Sequence, residues 1–146
     1  LLDTNVLVRL ANTADPAYGV AARAVMLLHQ RGEAQHITPQ NLIEFRNVAT
    51  RPQPANGLGL TAPVAAGLVA GFEAKFLLLD EVPAIYPAWK TLVAALGVIG
   101  KQVHDARLVA VCHVHRISHL LTFNVGHFSR LAVPSPGVIV LDPATV

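Results

Sequence analysis

A chain of 146 residues is one domain's worth of sequence, long enough to bury a single core and short for two. With 53% hydrophobic and 14% charged residues and a mean hydropathy of +0.47, it is not a disordered chain. Its longest apolar run, Thr91 to Gly100, falls well short of the roughly 20 residues that cross a bilayer, which excludes a membrane span. Eleven basic residues against nine acidic ones leave a net charge of +2, which permits a nucleic-acid partner without demanding one. The single cysteine, Cys112, has no intramolecular partner, and no basic-then-apolar leader is visible, so a cytoplasmic setting is expected. Leu1-Leu2 reads as the end of a strand whose first residues precede the sequence.

In chain order, Leu1-Leu2-Asp3 reads as a strand handing over to a helix through Thr4-Asn5, with one of these two as N-cap and Asp3 at the strand's carboxyl end. Asp15-Pro16 opens a second helix that Gly32 stops. His36-Ile37-Thr38 is a short strand, and Thr38-Pro39 caps a helix that carries Glu44 among Leu42, Ile43, Phe45 and Val48 and ends near Thr50-Arg51-Pro52. The proline- and glycine-rich stretch from Arg51 to Leu60 reads as a surface loop. Thr61-Ala62-Pro63 begins a helix running to about Lys75. A strand over Phe76 to Leu79 follows, then a helix over Ala84 to Leu96 broken near its start by Pro87. Lys101 to Arg116 is helical, Ile117 or His119 to Phe123 is a strand, the chain turns through Gly126, and Val138 to Leu141 is a last strand ended by Asp142-Pro143. Strands alternating with helices predict an α/β fold with a parallel sheet covered on both faces.

With only nine acids, those inside apolar runs call for an explanation. Asp3 and the segment Thr122-Phe123-Asn124 stand at the carboxyl ends of strands, where open parallel sheets bind ligands; Glu44 and Asp105 would reach the same crevice from helices. Three carboxylates in one pocket repel each other unless a cation sits among them, which predicts a magnesium or manganese site. Each residue also has a plain structural reading. Asp3 can cap a helix, Glu44 can be a salt-bridged residue, Asp105 can be a first-turn charge, and Asn124 and His127 can be ordinary turn residues before and after Gly126. Cys112, His113, His115 and His119 lack metal-ligand spacing on a helix, which disfavours zinc. Ser118, Ser129 and Ser135 have no nucleophile elbow around them. Gly67 and Gly71 suggest close packing of a helix, Tyr86 and Trp89 core packing, and Asp80-Glu81 a solvated strand end.

The segments Leu2-Asp3-Thr4-Asn5-Val6-Leu7, Asn41-Leu42-Ile43-Glu44-Phe45, His104-Asp105-Ala106-Arg107-Leu108-Val109-Ala110 and Leu121-Thr122-Phe123-Asn124 with Phe128, in this order and spacing, cover essentially the whole chain. Together they resemble PIN-domain ribonucleases, most closely the VapC toxins of type II toxin–antitoxin pairs. The resemblance implies a single PIN domain over 1–146, built as a three-layer α/β/α sandwich with a central, mainly parallel sheet. It further implies an acidic pocket that binds Mg²⁺ or Mn²⁺ and hydrolyses RNA phosphodiesters through metal-activated water.

Asp3, Glu44 and Asp105 match the family's first three acidic positions, Asn5 the residue that orients them and Thr122 the flanking hydroxyl. Asn124 and His127 stand where the family commonly has a further aspartate, so one firm metal site and a weaker second one are expected. Arg46, Arg51, Lys101 and Arg107 lie near the acids in sequence and can engage flanking phosphates, although Lys101 can equally pair with Asp105. The resemblance also implies a homodimer and a small VapB-like antitoxin whose tail fills the pocket. Two other readings remain: a PIN-like RNA- or partner-binding module weakened by the missing acid, and a haloacid-dehalogenase-like phosphatase. The latter family needs a second aspartate where Asn5 stands.

Overall fold

A computed structural model describes residues 1–133 and 137–146; Ser135, one of the lone serines, lies outside the described residues. The chain divides into an N-terminal unit, Leu2–Asp80 with Val146, and a C-terminal unit, Glu81–Thr145 with Leu1. Both combine helices with short parallel strands, the α/β class that the alternating pattern predicts.

The N-terminal unit runs α1 (Thr4–Leu10), α2 (Tyr18–Gln30), β1 (His36–Ile37), α3 (Pro39–Thr50), a 3-10 turn (Gln53–Ala55), α4 (Ala62–Lys75) and β2 (Leu77–Leu78). β1 and β2 pair in parallel with His36 opposite Leu77, and Leu2 donates its backbone N–H to the His36 carbonyl on β1. Helix α1 packs on α2 and α3, and α3 packs on α4. The core between them is apolar and closed, with Val6, Leu7, Ala21, Ile37, Phe45, Ala49 and Ala65 fully buried. Phe45 meets Phe72 edge to face at 5.0 Å, the geometry that the ring quadrupole favours.

The C-terminal unit runs α5 (Ile85–Leu96), α6 (Gln102–His115), β3 (His119–Leu121), α7 (Val125–Ser129), β4 (Ile139–Leu141) and a 3-10 turn (Pro143–Thr145). β3 and β4 pair in parallel, and Leu1 extends this pairing by donating to the His119 carbonyl and accepting from the Leu121 N–H. Helix α6 is buried almost without interruption from Leu108 to Cys112, so it reads as apolar around its circumference rather than on one stripe. Helix α5 packs against it, and Trp89 ties the two together by donating its indole N–H to the Val103 carbonyl at 2.9 Å.

Several local expectations are corrected. The cap of α1 is Asp3, in extended backbone at φ −79° and ψ 154°, and Thr4 is already helical. Asp15 accepts from the Ala17 N–H in an Asx turn, which delays α2 to Tyr18. Pro87 does not break α5: it sits in the first turn, where backbone N–H groups have no helical acceptor to lose. The turn through Gly126 is instead the short helix α7, which its fully buried Phe128 anchors against glycine's poor propensity. Gly67 and Gly71 face open space rather than a close neighbour. Tyr86 is exposed and stacks at a tilt on Trp89, and Glu81 is ion-paired with Arg107 rather than simply solvated.

Candidate metal centre

In the N-terminal unit the handover from Leu2 to α1 buries Asp3 to 6% exposure while its side chain makes no cap hydrogen bond to the helix. Instead Asn5 donates its Nδ2 to Asp3 Oδ2 at 2.6 Å. Glu44 lies one turn beyond Gln40 on α3 and is held at both oxygens. Gln40 Nε2 donates to Oε1 at 2.8 Å, and Thr4 Oγ1 donates to Oε2 at 2.7 Å. These named donors are neutral, so they fix the two carboxylates without cancelling their charge.

Behind Thr4 stands Asn41, with no exposure at all. Its Nδ2 donates to Thr4 Oγ1 at 3.1 Å, and its Oδ1 accepts from both the Thr38 N–H, at 2.9 Å, and the Thr38 hydroxyl, at 2.8 Å. The Asn41 backbone N–H completes the arrangement by donating to Thr38 Oγ1 at 3.1 Å. The capping box that starts α3 is therefore also the support of the Glu44 carboxylate, through Thr4. Sequence reasoning singled out Asp3, Asn5 and Glu44 but gave Thr4, Gln40 and Asn41 no part in the site. The signals were present: Thr38-x-x-Asn41 is a box spacing, and Gln40 and Glu44 share a helical face at i, i+4.

In the C-terminal unit Asp105 sits in the first turn of α6, where the helix dipole favours a negative charge. His127, on α7, brings Nδ1 to 3.7 Å from Asp105 Oδ2. Thr122 is fully buried and its Oγ1 accepts the Asn124 N–H at 3.0 Å, while the Asn124 side chain is exposed at the N-cap of α7 without capping it.

The cations divide by engagement. Arg107 pairs with Glu81, and Arg51 folds back toward the Ala55 carbonyl at 3.5 Å at the end of α3. Arg46 on α3 and Lys101 at the start of α6 are exposed.

The carboxylates offer oxygen donors only, and a hard divalent ion that keeps several waters needs few of them, so the donor types suit Mg²⁺ or Mn²⁺. Among the described residues no three His, Cys, Asp or Glu side chains already form a metal-holding group. Cys112 is no thiolate ligand: burial pushes its thiol up to about 11. Among the described residues, too, no helix is long and apolar enough to cross a membrane.

No curated protein matches the chain. Residues 1–134 match the PIN domain family. The acids singled out from sequence all fall inside that match, and the chain belongs to the PIN domain family, whose members are generally nucleases.

Proposed function

We propose that this chain is a divalent-metal-dependent endoribonuclease, acting as the toxin of a toxin–antitoxin pair. The observation that carries the reading is the hydrogen-bonded frame around Asp3 and Glu44, in which Asn5, Gln40 and Thr4 fix two carboxylates by neutral donors within a PIN domain. Asp3, Glu44 and Asp105 are the metal ligands in this reading, with Asn124 completing the catalytic set and Thr122 and His127 supporting it. One cation is held firmly, and a second only with the help of substrate phosphate oxygens. Bound Mg²⁺ or Mn²⁺ would supply a polarised water as nucleophile and would offset charge on the phosphoryl oxygens.

The protein's own contributions are positional. Asn5 keeps the Asp3 carboxylate from rotating, Gln40 and Thr4 do the same for Glu44, and the exposed Arg46 and Lys101 meet RNA phosphates. Arg107 and Arg51 join them only by leaving their present partners. A second copy of the chain and a small antitoxin are the expected protein partners. Exposed apolar side chains such as Val64, Leu77 and Leu78 in the N-terminal unit favour burial against another chain.

The test is cleavage of a defined single-stranded RNA by chelator-treated protein with and without Mg²⁺ or Mn²⁺. Cleavage that requires the ion and is lost in Asp3→Asn, Glu44→Gln and Asp105→Asn supports the reading; ion-independent cleavage refutes it. The absence of an acid at Asn124 and His127 favours a second reading, a PIN-like RNA-binding module without catalysis. Ion and RNA binding without any cleavage, not restored by Asn124→Asp, would select that module.

A further inference from the structure

His127, one of the two places where the resemblance implies a further acid, carries an imidazole, and the fold brings it to Asp105. α6 and α7 pack together, Phe128 is fully buried as the anchor of α7, and His127 donates its backbone N–H to the Asn124 carbonyl at 3.0 Å. This leaves the ring beside α6, with Nδ1 3.7 Å from Asp105 Oδ2. Two atoms bound to one octahedral ion at about 2.1 Å are about 3.0 Å apart when adjacent and about 4.2 Å when opposite. The observed separation falls between these limits, so one cation can bond to both atoms with only small side-chain adjustment. The His127 side chain is 61% exposed and that of Asp105 25%, leaving room for the waters such an ion retains.

We propose that His127 Nδ1 is a nitrogen ligand to the cation that Asp105 holds, and that this ligand makes the site prefer Mn²⁺ to Mg²⁺. The proposal rests on the reading of Asp105 as a metal ligand. A carboxylate at this place would serve Mg²⁺ and Mn²⁺ alike and would add negative charge. A neutral imidazole adds no charge and favours first-row transition ions, because Mg²⁺ bonds poorly to nitrogen.

The experiment is pulsed electron paramagnetic resonance of Mn²⁺ bound to the full chain, with Mg²⁺ affinity measured by competition. Wild-type protein and Asp105→Asn, His127→Ala, His127→Gln and His104→Ala variants are compared, each checked for folding by circular dichroism. The wild type and His104→Ala show nitrogen modulation on the Mn²⁺ signal, and both His127 variants lose it. In those two variants Mn²⁺ affinity falls about tenfold while Mg²⁺ affinity changes by less than about twofold. Binding of Mn²⁺ that depends on Asp105 but shows no nitrogen modulation, or an unchanged Mn²⁺ to Mg²⁺ ratio without His127, overturns the ligand assignment and leaves the nuclease reading standing. Mn²⁺ binding that is absent or indifferent to Asp105→Asn overturns both.

Discussion

Asn41 is a fully buried polar residue whose loss should be costly. Replacing it by alanine removes three side-chain hydrogen bonds, to the Thr38 N–H, the Thr38 hydroxyl and the Thr4 hydroxyl, at a site with no exposure through which water could substitute. Each such bond contributes a net ~1 kcal/mol, and a buried N–H left without an acceptor raises the cost, so the loss is about 3 kcal/mol. Domains of this kind have stabilities of about 5–15 kcal/mol, and about 3 kcal/mol lowers Tm by roughly 6–12 °C.

The assay is urea and thermal unfolding followed by circular dichroism, with Asn47→Ala, an exposed position on the same helix, as control at under about 0.5 kcal/mol. An Asn41→Ala loss below about 1 kcal/mol, or equal to that of Asn47→Ala, would refute the view that this buried relay supports α3 and Glu44.

Other consequences separate structure from chemistry. Gly57→Ala should destabilise by more than about 2 kcal/mol, because a Cβ there overlaps the Arg51 carbonyl; Gly67→Ala, facing open space inside α4, should stabilise by about 0.5–1 kcal/mol in the same unfolding assay. Cys112 makes stability fall on the alkaline side. The unfolded thiol ionises from about pH 9, whereas the folded one resists until about 11, so its contribution is complete below pH 9 and declines above it by roughly 2–3 kcal/mol. Cys112→Ala should flatten that part of the profile measured by urea midpoints. Glu81→Gln should change stability by less than about 1 kcal/mol, since the pair with Arg107 is partly solvated.

The elements that sequence pattern located well are those with strong punctuation: α3 behind Thr38-Pro39, and α6 between Lys101 and Arg116. Those that it misread were decided by position within the helix or by tertiary context. Pro87 looks like a break but occupies a turn where proline costs little, and α7 exists because the core takes up Phe128.

The candidate site divides in the same way. Asp3 and Glu44 stood out because acids are scarce and these two interrupt apolar runs. Thr4, Gln40 and Asn41 did not, since polar residues on an amphipathic helix look like its solvent face, and only the fold turns Asn41 inward to a buried hydroxyl. His127 could be read from sequence either as a turn residue or as the place of a further acid, because nothing local foretells that the side chain of another helix lies beside it.

Anomalous diffraction from crystals soaked in Mn²⁺ most directly tests whether these acids form a metal centre. The expected result is one strong peak bonded to carboxylate oxygens of the proposed ligands, and loss of that peak in Asp3→Asn. A strong peak elsewhere on the chain, or none at Mn²⁺ concentrations that support RNA cleavage, would contradict the assignment.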